Sequence, residues 1–156
     1  WGGEASARLS LSLYDLSYED MEKVEFTGWS GMVDLFKDRH IDAIIACSTP
    51  GISALQEVSL SGEGIRILPF EKDKMQQAIA LNNGYFNGTL PAGTYNGVEK
   101  SVPTLGSATI LFTRDDLDTT RAYNIVKALL NRKGELISTH SAFKDLTTEK
   151  ASPLGD

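Results

Sequence analysis

The stretch Ile41-Asp42-Ala43-Ile44-Ile45-Ala46-Cys47-Ser48 decides how the chain is read. It is short, apolar and β-branched, and it is followed by Thr49-Pro50. Such a run matches a strand buried on both faces, as parallel strands are. Proline after it suits the first position of a helix, where a missing N–H costs nothing. The stretch therefore predicts a strand feeding a helix.

Reading outward, the same alternation recurs. On the N-terminal side, Ser30 to His40 predicts a helix capped at Ser30 with Met32, Val33, Leu35 and Phe36 inward. Before it, Lys23 to Phe26 is a short strand candidate. The glycine-rich opening leads into a run with Leu9, Leu13 and Leu16 on one helical face, although Leu9 to Leu13 also alternates. Helix is preferred there. On the C-terminal side, the helix from Thr49-Pro50 stops at Gly62 or Gly64, and Ile65 to Phe70 predicts a second buried strand. Asp73 caps the next helix, which Asn83-Gly84 closes.

Residues 85–104 break the pattern with Gly, Asn, Thr and Pro and read as a shaped loop. Leu105 to Thr113 predicts a strand. The segment from Asp116 predicts the clearest helix, capped by Asp118, with Ala122, Ile125, Val126, Leu129 and Leu130 on its apolar face. A short helix is expected between Ser141 and Lys150. Strands alternating with helices imply an α/β fold, a mostly parallel sheet flanked by helices. Ligands of such sheets bind at the carboxyl ends of the strands. The expected division is residues 1–104, a ligand-binding lobe, and 105–156, a returning strand with the C-terminal helices.

Bulk properties narrow the function. The chain has 156 residues, 41% apolar and 23% charged, which suits a folded domain with a sizeable core. Its net charge is −6, and no Lys/Arg cluster exceeds two neighbours, so no nucleic-acid partner is expected. No apolar run approaches the roughly 20 residues of a membrane span. Trp1-Gly2-Gly3 reads as the start of a fragment, not of a whole protein.

Enzymatic constellations are not visible, so the expectation is a non-enzyme without metal or cofactor. His40 and His140 lie far apart in sequence and read as helix-end or cap residues. Cys47 reads as a buried structural thiol. Asp115-Asp116-Leu117-Asp118 lacks the glycine and terminal glutamate of a calcium loop. Asn87-Gly88-Thr89 fits a glycosylation sequon but reads as turn chemistry.

Several segments carry a family likeness. Lys37 to Ala43 matches a "D-G-x-I-D-A" turn into a strand, and Ser48-Thr49-Pro50 matches a "G-x-P" turn. Leu55 to Val58 matches the end of the following helix, and Ile65 to Phe70 the next strand. Leu90 to Gly97, "LPAGTYNG", matches an "I-P-A-G-T-Y-x-G" loop and is the most specific. Residues 102–129 and 138–146 match the segments that follow. The chain thus resembles, over about residues 1–147, the second half of TAXI-group solute receptors of TRAP-type secondary transporters.

The resemblance implies one lobe of a type II periplasmic-binding-protein fold. It also implies a periplasmic or extracytoplasmic location, a signal peptide in the full-length protein, and TRAP-type permease subunits as partners. The implied ligand is a small organic anion or amino acid. Carried over to this sequence, the ligand-binding residues would be Gly3, Glu4, Ala5, Ser6, Ser48, Thr49 and Tyr95. Glu4 departs from the family's small hydroxyl residue, and a carboxylate facing the ligand would repel an anion. Ser48 and Thr49 replace a glycine and a small residue. Alternatives are a ligand-sensing domain of a regulatory protein, or a non-binding structural or surface protein on the same fold.

Overall fold

The computed structural model describes residues 2–62 and 64–147. The chain divides into two compact units, Trp1–Ser107 and Ala108–Asp156. Helices dominate both.

The first unit opens with α1 (Gly2–Ser12), the expected helix, which ends before Leu13 and Leu16 of its predicted apolar face, and Leu16 is exposed. Ala7 and, just past the helix, Leu13 are buried. Asp15 then takes a left-handed φ of 57°, a conformation that Asp tolerates better than most residues. A 3-10 turn (Tyr18–Asp20) follows, closed by a reciprocal cap between Ser17 and Asp20. Helix α2 (Trp29–Lys37) starts one residue before the expected Ser30 cap, and of its expected inward residues Val33 is buried. Helix α3 (Ser53–Leu60) packs on α2, and Lys37 Nζ donates to Glu57 Oε1 at 2.9 Å across the pair. Helix α4 (Lys72–Leu81) packs on a hairpin of β1 (Tyr85–Leu90) and β2 (Val102–Ser107).

The expected parallel sheet is not formed. Among the described residues there is one two-stranded antiparallel sheet, with Tyr85 opposite Ser107 and Leu90 opposite Val102. The α/β reading, a mostly parallel sheet forming one lobe of a type II periplasmic-binding-protein fold, is therefore corrected to a predominantly helical chain. The reason lies in what a strand needs. An apolar run becomes a strand only where a neighbour satisfies its N–H and C=O groups. Lys23 to Phe26, Ile41 to Cys47 and Ile65 to Phe70 lack such a ladder and are irregular. From the last of these, Phe70 N–H does reach Pro103 O, at 3.0 Å, beside β2. Ile45 is 46% exposed, and Cys47 is exposed rather than buried. The helix expected from Thr49-Pro50 begins instead at Ser53. Pro50-Gly51 forms a turn, and Gly51 at φ 84° cannot continue into a helix.

Strand β1 falls where a loop is expected, because Asn87 and Gly88 argue against a strand by propensity. Pairing overrides that preference. A Cβ on Gly88 would come within 3.1–3.2 Å of Thr104 O and Gly106 N, so glycine permits this close approach. The Phe86 ring covers Gly106, its register partner, and so packs over the one β2 residue with no side chain.

The core sits behind the hairpin. Leu90, Tyr95 and Val98 are buried together, with Leu55, Ile65, Ile67 and Val102 packed against them. Residues 91–101 connect the strands by turns in which Gly93 and Gly97 take φ of 74° and 83°.

The strand expected over Leu105 to Thr113 forms only in its first residues, the end of β2 in the first unit, and 108–113, which opens the second unit, is irregular. Helix α5 (Thr119–Asn131) is capped as expected, the Asp118 carboxylate accepting from Arg121 N–H at 3.1 Å. Its Leu129 and Leu130 are half-buried, whereas Ile125 and Val126 are exposed. The chain bends at Arg132 into α6 (Lys133–Thr139). A 3-10 turn (Ser141–Asp145) then follows. His140 caps it, Nδ1 accepting from Ala142 N–H at 3.2 Å, so the cap reading of His140 holds.

Candidate functional site

The opening residues Gly3, Glu4, Ala5 and Ser6 lie in the first turns of α1. Small residues there keep the helix start uncrowded, and a Cβ added at Gly3 would meet nothing. Glu4 forms an ion pair with Arg8 one turn on, the (i, i+4) spacing that brings side chains together on a helix. The hydrogen bond to Glu4 raises the Arg8 pKa above its usual value. The Arg8 guanidinium also lies 4.5 Å from the centre of the Tyr18 ring. The carboxylate that departs from the family pattern is thus balanced by a cation of its own helix.

Ser6 points elsewhere. Its Oγ lies 3.3 Å from the hydroxyl of Tyr85, the first residue of β1. Tyr85 is opposite Ser107 in the antiparallel register, and cross-strand partners share one face of a hairpin. The Ser107 Oγ in turn lies 3.7 Å from the Cys47 Sγ. Ser48 and Thr49 follow directly. Ser48 is exposed and Thr49 half-buried, and neither hydroxyl has a hydrogen bond among the described residues. The open end of the hairpin therefore joins the start of α1 to the 47–49 segment through a row of neutral O–H and S–H groups.

Tyr95 lies in the core and reaches the turn that follows Ser48 and Thr49. It is 4% exposed, and its hydroxyl accepts from Gly51 N–H at 3.0 Å. The loop bearing it is tied to α3 on both sides. Gln56 Nε2 donates to Thr94 O at 2.7 Å, and Asn96 Nδ2 donates to Ser59 O at 3.1 Å. Tyr95 thus anchors the turn that follows Ser48 and Thr49, and its ring belongs to the core.

Of the residues expected from sequence, Ser6 comes to the open end of the hairpin, and Ser48 and Thr49 follow Cys47, which reaches Ser107 there. Glu4 is paired on the same helix, and Tyr95 supports from within. Sequence reasoning missed Tyr85, Ser107 and the exposure of Cys47. Only the register of a hairpin that was itself unexpected brings them together. The one available signal was Tyr85 itself, an aromatic residue directly after the Asn83-Gly84 helix stop.

Among the described residues, no group of three or more His, Cys, Asp or Glu could hold a metal ion. No helix there is long and apolar enough to cross a membrane.

No curated protein matches the chain. The NMT1-like family matches residues 1–155, which is nearly every residue. The chain accordingly belongs to the NMT1-like family, which is related to the periplasmic-binding-protein superfamily, a membership consistent with a periplasmic or extracytoplasmic binding role in general.

Proposed function

We propose that the protein is an extracytoplasmic solute-binding receptor that captures a small organic anion or amino acid for a TRAP-type secondary transporter. The permease subunits of that transporter are its membrane partners, and it performs no chemistry on the solute. One observation carries the reading. Four segments distant in sequence converge at the open end of the hairpin, and they bring Ser6, Tyr85, Ser107 and Cys47 to one row, with Ser48 and Thr49 next in the chain after Cys47. Every group in the row is neutral. Hydroxyls and the amides of a helix start donate to an anion without placing a full counter-charge against it. A carrier that must release its solute benefits from that. Glu4 does not oppose it, because Arg8 balances its charge.

Calorimetric titration with short carboxylates and α-amino acids tests the reading. Binding is expected, and Ser6→Ala or Ser107→Ala should each weaken it about three- to tenfold, as fits about 0.5–1.5 kcal/mol per hydrogen bond. No heat with any of these solutes at millimolar concentration would overturn it. So would variants that bind as well as the parent.

A further inference from the structure

A second recess lies in the first unit and shares no residue with the hydroxyl row. It is a groove of about 320 Å³ between the Ile65–Ile67 segment and the 97–102 segment. Its walls are Ile65, Ile67, Val98 and Val102, the same side chains that pack in or against the core behind the hairpin. Arg66 and Lys100 stand among them. Both are exposed, and neither has an ion pair or side-chain hydrogen bond among the described residues. Glu99 lines the same groove, so the local charge is +1 in a chain whose net charge is −6.

We infer that this groove binds a small amphipathic carboxylate, with its apolar body along Ile65, Ile67, Val98 and Val102 and its carboxylate at Arg66 and Lys100. Each part of the site calls for a part of that ligand. The aliphatic walls favour a hydrocarbon, whose removal from water drives its entry. Arg66 supplies a planar fork that matches a carboxylate, and Lys100 a second point charge. Glu99 disfavours a ligand with several negative charges at that end, since like charges would face each other. The volume is at the small end for ligand pockets. Octanoate, an eight-carbon fatty acid, is a small ligand of this class. The inference goes beyond solute capture at the hairpin end and does not depend on it.

The test is a methyl NMR titration of the full chain with octanoate, with 1-octanol as the neutral probe of equal length. Octanoate is expected to shift the methyls of Ile65, Ile67, Val98 and Val102, and octanol to bind about tenfold or more weakly. Arg66→Gln and Lys100→Gln should each weaken octanoate several-fold, and Glu99→Gln should tighten it. All three side chains are exposed, so these variants keep the fold, which unchanged methyl spectra without ligand would verify. Ser6→Ala, which alters the hydroxyl row alone, should leave octanoate binding as it is, so failure of either site is seen separately. Equal binding of octanol and octanoate would overturn the inference, as would octanoate shifts confined to other residues or none.

Discussion

Replacing Tyr95 separates its two roles, because ring and hydroxyl do different work. The ring is almost wholly enclosed, at 4% exposure, among Leu90, Val98 and their neighbours. A buried aromatic side chain removes about 150–250 Å² from water. At about 25 cal/mol per Å² that is worth about 4–6 kcal/mol, close to the 3–5 kcal/mol lost when large aromatic core residues become alanine. The hydroxyl makes one hydrogen bond, to Gly51 N–H at 3.0 Å. Gly51 is exposed, so water can take over that amide. Tyr95→Phe should therefore cost only about 0.5–1.5 kcal/mol. Urea denaturation of the parent, Tyr95→Phe and Tyr95→Ala gives the comparison directly. Tyr95→Ala should lower stability about three times as much as Tyr95→Phe or more. In Tyr95→Phe, the Gly51 amide should exchange faster while the core amides near Leu90 stay protected. Solute affinity in Tyr95→Phe should change little, since the hydroxyl faces Gly51. A Tyr95→Phe variant as unstable as Tyr95→Ala would refute the division of roles. Full stability combined with lost solute binding would instead make Tyr95 a ligand contact.

Other perturbations probe separate links. Gly97→Ala should destabilise the first unit by about 1–2 kcal/mol, read from the urea midpoint, because φ is 83° there. Steric contact adds little, as the new Cβ would sit 3.5 Å from Ile65 O. Asp118→Ala removes the α5 cap and should cost about 1 kcal/mol, seen as fraying of Thr119 to Arg121 in amide exchange. The Asp20 carboxylate is held below its ordinary pKa, first by the Ser17 backbone N–H and then by the Ser17 hydroxyl. Its contribution to stability is thus present above about pH 3.9, the unfolded value, and is lost as pH falls through the lower folded value. A carboxyl NMR titration of Ser17→Ala should find the Asp20 pKa raised towards the ordinary value. Cys47 should react fully with a disulfide reagent in the native protein, since its side chain is exposed. A thiol silent until denaturation would contradict the structure.

Helices with both a periodic apolar face and a local stop signal were legible in the sequence. Helix α5 formed with its Asp118 cap, α4 formed before Asn83-Gly84 but with Glu71 and not the expected Asp73 at its cap, and α1 formed but stops at Ser12, short of Leu13 and Leu16. Their hydrogen bonds close within a few residues, so the local sequence carries nearly all the information they need. The sheet was not legible. Ile41 to Cys47 has the composition of a strand and forms none, whereas Tyr85 to Leu90 contains Asn87 and Gly88 and pairs fully. A strand draws its hydrogen bonds from a distant segment, so composition proposes it and the partner decides. The same holds for the hydroxyl row. Tyr85 meets Ser107 through register and Ser6 through the placement of α1, and Ser107 meets Cys47 through the path of an irregular segment. Those are long-range distances set by tertiary packing, and no local spacing in the chain encodes them.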